Sequence, residues 1–293
     1  MTPGAGSETT NGPAHVDAVT FAFGDPAAEV YGIARLAVSG GGASGMAIVY
    51  DKHEPVAGAR EAGRPLDGAS ETSWDDVAAA GVSTTTQSPH EAWTVSFDDE
   101  HGTAFDLRFE AISTPAPVQA AGVEGGDQLC SVSGTVRLGE RTVEISCLGQ
   151  RSHLLGAPDL DRVEIARTLS AWLGADRAVT LTAVRPTRAK RHQLDETVTG
   201  WMIEGGEPVA IAEPRLSTTY DGELHQQRAG LELWMDEEHT TDRRASGQVL
   251  CGMTVDLGAL RLDNAFFSWR MEGREGVGLY DVLRRVDRKS SKR

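Results

Sequence analysis

Apolar and polar residues alternate in short runs along most of this 293-residue chain, and clusters of Gly, Pro, Asp and Asn separate the runs. A period of two is the spacing of a strand with one buried face, so the pattern predicts a mostly antiparallel β protein. Strands are expected over residues 18–23, 29–38, 44–51, 91–98 and 103–112, with a hairpin loop in SGGGASG at 39–45 and a polar surface loop at 58–73. A Pro- and Gly-rich stretch, STPAPVQAAGVEGGD, follows at 113–127. Runs then resume over 128–138, 141–153, 162–173, 177–185, 196–204, 207–219, 224–235, 246–257 and 259–271, with a short helix as an alternative reading of 159–172. Several of these runs are about twice the usual strand length of roughly 5 to 6 residues, which suits curved barrels better than flat open sheets. The expected fold class is therefore all-β, with two tandem antiparallel barrels or strongly curved sheets.

The length allows two units, each with its own core. The break at 113–127 is the best candidate for the change of unit. It divides the chain into an N-terminal β domain at 15–126 and a C-terminal one at 127–288, with tails at 1–14 and 289–293 expected to be disordered. No internal repeat is visible.

Charge and composition narrow the function. The formal net charge is −15, from 43 acidic and 28 basic residues, which disfavours nucleic acid and anionic membranes as partners. No window approaches the roughly 20 apolar residues of a membrane-spanning helix. The start, MTPGAGSETTNGPAH, lacks the basic and apolar regions of a secretory signal, so a cytoplasmic location is expected. The basic end, RRVDRKSSKR, reads as a solvated terminus. Cys130, Cys147 and Cys251 form no CxxC and have no ligand-spaced partners, so no metal site is expected. They read as small buried residues, with a Cys130–Cys147 disulfide left open. There is no nucleophile elbow, no phosphate-binding glycine loop and no HExxH helix.

The segment SGTVRLGERTVEISCLGQRSHLLG carries the clearest candidate site. A two-residue turn at Gly139–Glu140 places Leu138 opposite Arg141, Val136 opposite Val143, Gly134 opposite Ile145 and Val132 opposite Cys147. Continuing that face through Gly149 brings Arg151 and His153 to the side that buries Val143, Ile145 and Cys147. An unpaired buried charge costs several kcal/mol, so three readings stand open. The strand breaks at Gly149 and frees both side chains; or both pair with Asp159, Asp161 or Glu164; or they line a pocket. In the pocket, Arg151 would polarise an oxygen and His153 would transfer a proton near neutral pH.

The same segment, through Gly134, Val136, Val143, Gly149, Arg151, His153 and Gly156, resembles carotenoid hydratase (hydroxyneurosporene synthase) and AttH-like proteins. FAFGDPAAEVYGIARL is similar to that family's opening strand pair, and WRMEGREGVGLYD to its glycine-rich closing strand. The resemblance implies two tandem lipocalin-like barrels with an apolar pocket where they meet. It also implies cofactor-independent hydratase, isomerase or cyclase chemistry on an isoprenoid- or polyketide-like molecule, with His153 and Arg151 as catalytic residues. Trp201, Trp234, Trp269, Tyr31 and Tyr50 are candidates to line that pocket or else to sit in the core. Glu164 and Glu232 alternate away from their apolar neighbours and are expected in solvent. Where the family pattern has Asp and Trp, this chain has Ser152 and Leu155. The expected consequence is that His153 lacks its carboxylate. A non-catalytic carrier or sensor of a hydrophobic molecule is the alternative function, and no oligomeric state is implied.

Overall fold

A computed structural model describes residues 15–66, 73–187 and 196–286, which form two strongly curved antiparallel sheets. The expected tails at 1–14 and 289–293 lie outside the described residues. The first sheet contains β1 (Val16–Asp25), β2 (Val30–Ser39), β3 (Gly42–Asp51), β4 (Glu54–Pro65), β5 (Ala78–Ala79), β6 (Val82–Ser88), β7 (Ala92–Asp98), β8 (Thr103–Ala111), β9 (Ala116–Ala120), β10 (Val123–Leu138) and β11 (Arg141–Gly156). The second contains β12 (Val163–Gly174), β13 (Arg177–Pro186), β14 (Thr197–Glu204), β15 (Glu207–Ala210), β16 (Glu213–Tyr220), β17 (Gln226–Trp234), β18 (Asp242–Asp256), β19 (Leu260–Met271) and β20 (Arg274–Arg285). Among the described residues the only helical turns are two short 3-10 segments. Among these residues no helix is long and apolar enough to cross a membrane.

Both sheets are built alike. Hairpins run outward from a central pairing of the first strand with the last, β1 with β11 and β12 with β20. The first sheet nearly closes on itself: the amide of Ala80, beside β5, donates to the Glu61 carboxylate of β4 at 2.8 Å. Tight turns make this economy possible. Gly40 and Gly41 join β2 to β3 at φ 58° and 79°, the left-handed pair that a two-residue hairpin turn needs.

Three packed clusters hold the molecule. Inside the first barrel Phe21, Phe23, Trp93, Phe97, Phe105 and Phe109 meet. Inside the second, Leu169, Leu181, Leu233, Phe267, Trp269 and Tyr280 do the same. The third lies between the sheets, where the outer faces of β1 to β3 press on those of β12, β19 and β20 through Tyr31, Ile33, Tyr50, Trp172, Phe266 and Val277. Strands covered on both faces lose the clean alternation of half-buried ones. For this reason β1 ends in seven consecutive buried residues.

Several expectations change. The 159–172 run is a single 3-10 turn followed by strand β12. The 207–219 run is split into β15 and β16. Residues 58–65 of the expected surface loop belong to β4, an edge strand whose mostly exposed side chains explain its polar composition; positions 67–72 lie outside the described residues. The Pro- and Gly-rich stretch at 113–127 does not separate the sheets. It folds into β9 and the start of β10, while β10 and β11 both stay in the first sheet. The passage from one sheet to the other falls at residues 157–162 instead, because β11 must return to pair with β1.

Candidate functional site

Strand β11 keeps its register with β10 without interruption, from Leu138 opposite Arg141 to Val123 opposite Gly156. Gly149 is therefore not a break but a point of close approach. A Cβ there would stand 2.4 Å from the Ala22 carbonyl oxygen and 2.7 Å from Val132 Cγ2. Because the strand runs on, Arg151 and His153 do reach the inner face of the first barrel, opposite Phe21 and Val19 of β1.

There they border a cavity of about 170 Å³ walled mainly by Val19, Phe21, Trp74 and Trp93. Arg151 is 7% exposed. Its Cζ lies 4.4 Å above the Trp93 ring, a cation–π contact. Its Nη1 donates to Gln128 Oε1 at 3.3 Å. Gln128 is oriented in turn by donating to the backbone oxygens of His90 and Ser113. Burial lowers the pKa of the Arg151 guanidinium from its ordinary value, yet an arginine remains charged throughout the physiological range.

His153 has a carboxylate after all. Its Nε2 lies 2.7 Å from Asp17 Oδ1, on the first strand of the sheet. Its ring meets Trp74 edge to face at 6.1 Å. Trp74 is held by a 3-10 turn capped by Ser73 and by the Thr84 hydroxyl, which donates to the Trp74 carbonyl. A carboxylate oriented on one ring nitrogen fixes the orientation of the imidazole and leaves the other nitrogen for a proton, the arrangement of a general acid or base. Asp159, Asp161 and Glu164 are not its partners. Glu164 pairs with Arg185, and Asp159 with Arg162.

Ser152 corrects the reading of the missing family carboxylate. Strand alternation points residue 152 away from His153, so an Asp there could not have served the histidine. On that opposite face the hydroxyl of Ser152 donates to Asp127, its cross-strand partner on β10. The other Asp127 oxygen accepts from Thr180 of the second sheet. Burial raises the Asp127 pKa.

The five aromatic candidates do not come together. Tyr31 and Tyr50 pack against Phe266 between the sheets, at ring separations of 5.5 and 6.0 Å, with Trp201 at the margin of the same cluster. The Tyr50 hydroxyl donates to Asn264 at 2.7 Å, and burial raises both phenols, that of Tyr31 to about 12. The place where the resemblance puts an apolar pocket is thus occupied by packed side chains. Trp269 is stacked on Phe267 in the second core, and Trp234 stacks on His239. Sequence reasoning missed Trp74, Trp93, Gln128 and Asp17. The alternation of AWTVSFD, which puts Trp93 on one face with Val95 and Phe97, could have found one of them.

A wider cavity of about 1270 Å³ opens in the second barrel beside Arg167, Thr218 and Leu231. Its deepest cation is already matched, since Arg167 pairs with Glu196 and donates to Thr218. Among the described residues no three His, Cys, Asp or Glu side chains gather as a metal site. All three thiols are free, and Cys130 stands opposite Gly149 rather than Cys147.

The whole fold has counterparts among solved structures. A Nitrosomonas europaea protein described as an AttH superposes with a TM-score of 0.68 at 11% identity, covering 97% of this chain and 99% of that one. Kievitone hydratase from Nectria haematococca gives 0.66 at 9%, covering 93% and 89%. CghA in complex with Sch210972 gives 0.61 at 10%, also covering 93% and 89%. At such identities the likeness is one of fold. No curated protein matches the sequence. A family model described as a domain of unknown function, DUF7064, matches residues 7–286, and the chain belongs to that family.

Proposed function

We propose that the protein is a cofactor-independent enzyme of the hydratase, isomerase or cyclase type, and that its chemistry takes place inside the first barrel rather than between the two. The observation that carries this reading is the Asp17–His153 pair beside Arg151 at one apolar cavity. His153 moves a proton to or from a substrate carbon or oxygen, Asp17 holds the imidazole in place, and Arg151 stabilises negative charge that develops on an oxygen. The apolar walls limit the water that competes there. With a volume of about 170 Å³, below the roughly 300 Å³ at which pockets begin to enclose a drug-sized molecule, the cavity suits a single ring or the end of a longer apolar skeleton. The hydratase named among the structural counterparts supports the reaction class by analogy alone.

Carriage of a hydrophobic molecule without chemistry is the second reading; the cavity of the second barrel is wide enough for one, but its lining mixes apolar side chains with Arg167, Arg215 and Glu196. Native mass spectrometry of the purified protein identifies the bound small molecule, and turnover of that molecule is then followed in the wild type and in His153→Ala. The expected result is a fall of roughly a hundredfold in kcat with binding retained. Undiminished turnover in the variant would remove His153 from the mechanism, and no turnover in the wild type would leave the carrier.

A further inference from the structure

We infer that the first-barrel site takes an anion, specifically a carboxylate carried by a flat, conjugated or aromatic group. The inference deepens the proposed function and rests on that reading for the location of the ligand. A buried guanidinium is normally matched by a carboxylate. Arg167 in the second barrel shows the usual solution, with Glu196 on its Nε and Nη2. Arg151 has no such match. Among the described residues no carboxylate lies within ion-pair distance of it, and the only hydrogen bond it makes is the one from Nη1 to Gln128. Its Nε is buried without an acceptor.

Nη2, by contrast, is neither hydrogen-bonded nor enclosed, so it is the part of the guanidinium left open. It can donate a charge-assisted hydrogen bond to a carboxylate oxygen. Asp17, the carboxylate close enough to favour the charge on Arg151, has its Oδ1 on His153. The remaining walls have the shape of a slot, with the Trp93 ring beneath the guanidinium and Trp74 edge-on to His153. A flat group directed along the Trp93 face would bring its carboxylate to Arg151 and its conjugated carbon chain to His153. For a hydratase this placement has a chemical use: as water gives a proton to His153 and its oxygen bonds to the β-carbon of an α,β-unsaturated acid, the C=C electron pair moves toward the carboxylate beside Arg151, and His153 then returns the proton to the α-carbon.

The test uses benzoate and cinnamate as probes, each beside its neutral amide, titrated by calorimetry in a carboxylate-free buffer. The wild type is expected to bind the acids at least about tenfold more tightly than the amides, with the preference weakening as salt rises. Arg151→Met should erase the preference and leave amide binding in place, and Arg151→Lys should restore part of it. Should Arg151→Met fail to fold, the acid-to-amide ratio and its salt dependence in the wild type still decide. Equal or tighter binding of the amides, or no saturable binding of either acid at millimolar concentrations, overturns the inference. The two proposals fail separately. Acid preference with full turnover in His153→Ala leaves the anion site standing and removes the acid–base reading, whereas amide preference with lost turnover does the reverse.

Discussion

Gly149→Val should be the most damaging single substitution near the site, costing more than about 4 kcal/mol or preventing folding. Strand β1 passes so close that even the first added carbon would stand 2.4 Å from a backbone oxygen of Ala22, and 3.3 Å from the Phe109 ring on the other side. A backbone oxygen held in a sheet cannot rotate away as a flexible side chain could. The strand must therefore shift, and Arg151, two residues on, shifts with it. Gly222→Ala serves as the control, because nothing lies within 4 Å of its added carbon, and it should change stability by no more than about 0.5 kcal/mol. Urea unfolding of the two variants separates them, and equal midpoints would show that β1 and β11 are not packed this tightly.

Asp281→Asn should stabilise the protein at neutral pH, by roughly 3 kcal/mol relative to wild type. Asp281 is buried beside Asn264, whose amide donates to it at 2.6 Å, and burial raises its pKa to about 6 against the opposing effect of Arg35. An unfolded aspartate titrates near pH 3.9. Below about pH 4 both states hold the proton. Between about pH 4 and 6 the folded state holds it while the unfolded state releases it, so stability falls as the pH rises through that window and stays lower above it. Asparagine fixes the uncharged form and keeps the hydrogen bond. Denaturation curves collected from pH 4 to 7 should show the advantage of the variant growing with pH, and parallel pH dependences would refute the assignment. Asp127, raised in the same direction, contributes to both proteins alike. Both acids lie where the sheets touch, Asp127 through Thr180 and Asp281 through Asn264 to Tyr50.

Local physics made part of this molecule readable in advance. The β10–β11 hairpin was legible because a two-residue turn sets register and one face is buried, and the same face could be followed without error to Arg151 and His153. Polar strands such as the edge strand β4 and its counterpart near the other end of the sheet, β6, were not legible, since neither has the apolar period that marks a strand. The position of the change between sheets was hidden for a different reason. Pro and Gly mark turns inside a barrel as readily as boundaries between barrels, and only the β1–β11 pairing tells them apart. The partner of His153 was beyond any local argument, because Asp17 is 136 residues away along the chain. The residue expected to supply it, at position 152, was judged by nearness in sequence when strand alternation points it to the opposite side.

That separation also bears on how the protein comes into being. Each sheet is completed by a pairing between its first strand and its last, so local hairpins can form early but neither barrel can shut until its final strand has been made. Contacts of such high order are entropically slow to form. During synthesis β1 must wait, with its apolar inner face uncovered, for β11 to leave the ribosome. The pair that joins Asp17 to His153 is consequently among the last contacts the first barrel can make, and the proposed site is complete only when folding there has ended.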